Sequence, residues 1–167
     1  HGCMPLRADD TFLPQLERYR QAGFSVASLN VGFDQSEWHH TFRIIAHFRG
    51  WIERHPEHYV LADSVKTIEE ARRTNKLAVF FDIEGGSAID DQISLIDTYY
   101  ELGVRWMLLA YNNNNRLGGG CHDDDCGLTA FGKQVLDEMA RVGMVVCCSH
   151  VGQRTAIILA RRFRSLN

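Results

Sequence analysis

No apolar run in this chain approaches the roughly 20 residues that a helix needs to cross a bilayer. The amino end, which opens abruptly at His1, carries no secretory apolar segment. Nor is there an excess of basic charge. Eighteen lysines and arginines stand against 21 aspartates and glutamates, so neither a nucleic-acid footprint nor a polybasic membrane patch is expected. Cysteine is present in an odd count of five, and Cys147 and Cys148 are neighbours in a strand-like run. Consecutive strand residues face opposite sides. These two therefore read as small buried apolar residues of a reducing compartment, and a cytoplasmic location is expected. Cys121 and Cys126 leave a local disulfide and a shared metal both open.

What is present describes an ordinary globular chain. With 167 residues, 45% of them apolar and 23% charged, there is material for one domain with a real core. Three similar joints punctuate it: Ala22-Gly23-Phe24, Leu102-Gly103-Val104 and Val142-Gly143-Met144. Each follows an amphipathic segment and precedes an apolar run, which reads as helix, glycine stop, strand. Leu128, Phe131, Val135, Met139 and Val142 recur at helical spacing. Residues 91–102 repeat the pattern, and residues 11–22 do so more weakly, with Asp9 and Asp10 available as caps. The strands are expected at 24–33, 77–84, 104–111 and 144–150, nearly continuous in apolar residues as parallel strands covered on both faces are. A longer insertion, about 36–76, carries one helix through Phe42, Ile45, Phe48 and Ile52 and a second over 66–74.

Alternation of strand and helix predicts an α/β fold. Four strands are visible, plus the tail of an earlier one at His1, whereas a closed (β/α)8 TIM-like barrel takes roughly 250 residues. The expectation is a single partial barrel domain over 1–167, with about the first five β/α units. An open half-barrel exposes two edges and an interior face. Its completion by a homo-oligomeric partner or by a missing carboxyl-terminal half follows.

Two strand ends carry the chemistry. Glu84 closes the run Leu77–Ile83 ahead of Gly85-Gly86, and His150 closes the run that starts at Met144. In α/β barrels that rim is where active sites assemble. A glutamate alone is as often solvated, and a histidine alone as often a core residue; the shared position favours a pair of metal ligands. Ser149 and His150 cannot act as nucleophile and base, because adjacent strand residues diverge. His1 and Cys3, two apart at the end of a first strand, are a further pair able to clamp zinc. Tyr111 and Asn112 share the rim and are placed to bind substrate. The loop 112–126, rich in Asn, Gly and Asp, reads as a solvated, flexible rim loop. His39, His40, His47, His55 and His58 read as exposed helix and turn residues.

Several stretches together resemble the membrane (renal-type) dipeptidase family of zinc peptidases, its bacterial branch in particular. They are Asp82-Ile83-Glu84-Gly85-Gly86, Gly103 to Asn112, Gly127-Leu128-Thr129-Ala130-Phe131-Gly132-Lys133, Glu138 to Met144, and Ser149-His150-Val151. The resemblance runs over most of residues 77–155. It implies a distorted (β/α)8 barrel with two zinc ions at the rim of a complete site; one or none in this chain is the alternative. Glu84 matches the catalytic carboxylate that bridges the metals, and His150 matches a ligand of one of them. His1 matches the histidine of the family's His-x-Asp pair, with Cys3 in the aspartate's place. Tyr111 stands where the animal enzymes have a substrate-contacting histidine.

The activity so implied is hydrolysis of short dipeptides through a metal-bridging hydroxide, with a small peptide as the partner. Its rival is a truncated or degenerate non-catalytic barrel that serves as a metal-binding or interaction protein. A second rival is a barrel hydrolase acting on a lactone or cyclic amide, a class that usually shows a His-x-His pair where this chain has His1 and Cys3.

Overall fold

The computed structural model describes residues 1–166, so Asn167, the last residue of the expected domain, lies outside it. Five parallel strands alternate with helices. In chain order they are α1 (Leu16–Gln21), β1 (Val26–Phe33), α2 (Trp38–Glu53), β2 (Tyr59–Leu61), α3 (Val65–Arg73), β3 (Leu77–Glu84), α4 (Leu95–Glu101), β4 (Val104–Leu108), α5 (Ala130–Val142), β5 (Val145–Cys147) and α6 (Gln153–Leu166). The order across the sheet is β1-β3-β4-β5. β2 pairs with the first residues of β3 and β4 with the last, along one edge of β3.

The three glycine joints behave as expected. Gly23, Gly103 and Gly143 take positive φ of 81°, 107° and 85°, a conformation that ends a helix at little cost only without a Cβ. The helix of the 128–142 repeat begins with the Thr129 hydroxyl accepting the Gly132 N–H at 2.9 Å, and it buries Val135, Leu136 and Met139. The weak periodicity of 11–22 yields only a short 3-10 turn and α1. Neither Asp9 nor Asp10 caps it: Asp9 accepts the Thr11 N–H, and Asp10 pairs with His47. The insertion contains both expected helices, and between them the strand β2. Three residues are too few to show a period in the sequence.

One apolar core joins the helices to the outer face of the sheet. Leu29, Val31, Val79, Phe81, Ile83 and Met107 point into it together with Ile44, Phe48 and Met139. The alternate residues Ser28, Asn30, Asp82, Glu84 and Trp106 therefore lie on the inner face. β5 departs from the expected pattern. It is three residues long, Val145 is 58% exposed and Cys148 is exposed, so the two cysteines are not the buried pair that their neighbours suggest. β5 pairs with β4, and among the described residues no further strand covers it. All five cysteines are free thiols, so Cys121 and Cys126 form no disulfide.

Away from the rim, Glu17 is held by Arg20 and Tyr59 and ties α1 to β2. The hydrogen bond from Arg20 pulls its carboxyl down from 4.5 to about 2. A depressed acid stabilises the fold above its unfolded pKa and loses that contribution as pH falls through the folded one. Glu17→Gln is therefore expected to melt below the parent protein at pH 7, with the gap closing toward pH 2. Parallel melting curves across that range would contradict it. No helix among the described residues is long and apolar enough to cross a membrane.

Candidate metal centre

The site begins with the pairing of the amino-terminal segment to β1. The Gly2 N–H donates to the Ser28 carbonyl at 2.7 Å, and the Asn30 N–H to the Gly2 carbonyl at 3.3 Å. This is the tail of the earlier strand that the sequence led us to expect. A side chain at Gly2 would point at Tyr19 and Leu29, toward the core. His1 and Cys3, one residue to either side, are thereby turned to the inner face.

There they meet the end of β3. His1 Nδ1 donates to Asp82 Oδ2 at 3.0 Å, which leaves Nε2 as the lone-pair nitrogen. Nε2 lies 3.1 Å from Cys3 Sγ and 3.5 Å from Glu84 Oε1. The ligand atoms of His1, Cys3 and Glu84 all fall within 4.8 Å of one another. A nitrogen, a sulfur and a carboxylate oxygen at that spacing fit a borderline divalent cation such as zinc.

Asp82 was not singled out by sequence reasoning, yet it organises the group. Its side chain is fully buried, accepts hydrogen bonds from Ser28 and Asn30, and orients the His1 ring. Trp106 closes the arrangement, with its indole N–H donating to Ser28 Oγ at 3.0 Å and its ring 5.3 Å from that of His1. The signal was the spacing Asp82-x-Glu84, which puts both carboxylates on one face of a strand. Burial pushes both carboxyls up, and Asp82 adds to the effect on Glu84. The Cys3 thiol is raised by its burial and by the same two carboxylates. In each case desolvation leads, because burial penalises the charged form of the acid.

His150 lies outside this compact group but close enough to act electrostatically on Glu84. It forms a second cluster with the other expected rim residues. Nδ1 is 2.9 Å from Asn112 Oδ1, and the Tyr111 ring stacks on the imidazole at 4.2 Å. The bond to Asn112 leaves Nε2 free to take a cation. Asn112 and His150 both adopt left-handed backbone, φ 63° and 62°. That conformation is uncommon outside glycine and concentrates at functional sites.

The loops around the rim are built rather than merely solvated. Asp34, which also went unnoticed in the sequence, accepts the N–H of Ser87 at 3.1 Å and that of Tyr111 at 2.8 Å, as well as the Asn115 amide. It ties the ends of β1, β3 and β4 together. Asp125 accepts the Thr155 N–H at 3.0 Å and its hydroxyl at 2.6 Å, at the start of α6. The Asp and Asn residues that suggested flexibility thus satisfy loop backbone. The insertion histidines are not all exposed: His40, His47 and His55 are half-buried and hydrogen-bonded.

The family profile described as membrane dipeptidase (peptidase family M19) matches residues 13–159. The chain belongs to this family. Glu84, Tyr111, Asn112 and His150 lie within the matched stretch. Among relatives, dipeptidase 3 of Rattus norvegicus is 30% identical over 106 residues, 59% of this chain and 22% of its own length. An uncharacterized dipeptidase of Schizosaccharomyces pombe is 36% identical over 91 residues, 50% of this chain and 21% of its own. Among solved structures, an amidohydrolase from Pseudomonas aeruginosa is similar with a TM-score of 0.84 and 27% identity, over 87% of this chain and 45% of that one. A metallo peptidase from Rhodobacter sphaeroides, liganded with a phosphinate mimic of the dipeptide L-Ala-D-Ala, has a TM-score of 0.74 at 16% identity, covering 87% of this chain and 52% of that one, and so shares the fold. The chain spans about a fifth of these curated relatives and about half of these two solved chains. Its parallel α/β fold is that of the family, in the portion those matches cover.

Proposed function

We propose that the protein carrying this chain is a zinc-dependent dipeptidase. The observation that supports this most is the convergence of His1, Cys3 and Glu84 at the carboxyl end of the parallel sheet, within electrostatic reach of His150. In this reading His1, Glu84 and His150 hold the metal. Asp82 fixes the His1 tautomer, and Asn112 fixes that of His150. Zinc bound there supplies Lewis acidity and a hydroxide nucleophile near neutral pH. Tyr111 and Asn112 bound the rim where a dipeptide would lie, and Glu84 is the catalytic carboxylate.

Metal analysis with a dipeptide hydrolysis assay on the whole protein tests the reading. Two zinc ions per chain and turnover that chelation abolishes are expected. An empty rim and no hydrolysis across a panel of dipeptides would overturn it in favour of a non-catalytic barrel, the reading that Cys3 in the aspartate position favours. A narrower prediction concerns Asp82. Asp82→Ala is expected to release the His1 ring and weaken zinc binding about 10–100-fold, the usual effect of removing a carboxylate that orients a ligand histidine. Unchanged affinity in a zinc titration would remove Asp82 from the site.

A further inference from the structure

We infer that Cys3 supplies a sulfur ligand, so that the cation at this rim is held by a nitrogen, a sulfur and an oxygen donor from His1, Cys3 and Glu84. The inference rests on the proposed metal site and narrows its chemistry. Family resemblance alone gives an aspartate at this position, an oxygen donor; the arrangement in this chain is different and has its own structural cause.

Three observations carry it. First, the backbone bonds on either side of Gly2 hold residues 1–3 in register with Ser28 and Asn30 of β1. A tethered extended segment with its middle residue facing the core must send both flanking side chains to the inner face. Second, Cys3 Sγ lies 3.1 Å from His1 Nε2, on the side of the ring away from Asp82, and Glu84 Oε1 lies 3.5 Å from the same nitrogen. Sulfur, nitrogen and oxygen thus surround one point that the buried Asp82 carboxylate helps to aim at. Third, both carboxylates lie against the one His1 ring, Asp82 Oδ2 at Nδ1 and Glu84 Oε1 at 3.5 Å from the lone-pair nitrogen Nε2. A cation between Nε2, Sγ and Oε1 would meet three electron-pair donors.

The same atoms could be taken for a nucleophile, base and orienting acid: Cys3, His1 and Asp82 in a row. Glu84 argues against that use. A reactive cysteine sits in electropositive surroundings, whereas this sulfur is flanked by a carboxylate at the distance of a shared ligand. On binding, a metal–sulfur bond forms and the thiol proton passes to solvent. Sulfur in the set favours borderline ions such as zinc and cobalt over magnesium, calcium or manganese, which take oxygen ligands.

Cobalt(II) added to the metal-free whole protein tests this by absorption. A sulfur-to-cobalt charge-transfer band in the near ultraviolet is expected beside the visible cobalt bands. In Cys3→Ser the near-ultraviolet band is expected to vanish. In Cys3→Asp it should vanish while the visible bands persist, which shows that the site survives. Cobalt binding without the band, or a band that survives in Cys3→Ser, would overturn the sulfur ligand and leave the metal site standing. Failure to bind cobalt or zinc at all would overturn both readings. As a second readout, zinc is expected to shield Cys3 from iodoacetamide but to leave the exposed Cys121 and Cys148 open to it. Equal labelling of Cys3 with and without zinc would also overturn the inference.

Discussion

Glu84→Gln is expected to lose bound zinc and dipeptide turnover together, with turnover falling by roughly a thousandfold or more, while the fold is nearly unchanged. The substitution keeps the shape of the side chain and removes the charge that a divalent cation needs. Little stability depends on that charge. Burial and the neighbouring Asp82 already push the Glu84 carboxyl up, so the folded protein disfavours the ionised form. Neutral glutamine relieves this repulsion. Metal content, hydrolysis rate and a thermal melt of the same preparation check the three parts. Full zinc occupancy with normal turnover would exclude Glu84 from the site, and a collapsed melting curve would mean that its role is structural.

Gly85→Ala should be the most damaging of the small substitutions at the rim. Gly85 has φ 134° and ψ 158°, a region that residues with a Cβ essentially never occupy. An added Cβ would also overlap the carboxylate and backbone of Asp34. Backbone strain and forced overlap each cost about 1–3 kcal/mol, for a combined loss of about 2–6 kcal/mol in a denaturant titration. The damage should reach the site as well. Asp34 is the carboxylate that bonds Ser87, Tyr111 and Asn115, so displacing it loosens the ends of three strands at once. Retained stability with normal metal binding would show that the strand end tolerates a side chain.

The elements with a strong local period were legible. Strand β3 occupies the expected residues 77–84, and the helices of 91–102 and 128–142 lie within their expected spans. Each is specified by its own apolar spacing and by a cap or glycine stop that the chain carries beside it. The failures have one cause. Whether Cys147 and Cys148 are buried depends on what covers β5, which no run of seven residues can state. Asp9 and Asp10 were plausible caps by type, but Asp10 found His47, 37 residues away. The Asn- and Asp-rich loop looked solvated because its partners, Thr155 among them, belong to other segments.

The candidate site divides along the same line. The sequence by itself determined the ligand-capable residues at strand ends, Glu84 and His150, and the membrane dipeptidase resemblance around them, since strand ends and motif spacing are local properties. Only the tertiary structure decided who meets whom. His1, Cys3 and Glu84 share one point, His150 stands with Tyr111 and Asn112, and the unheralded Asp82 orients the first group from beneath. The pairing of His1 with Asp82 alone spans 81 residues. Such pairings depend on strand register and on which face each side chain takes, quantities set by the packing of the whole sheet against its helices.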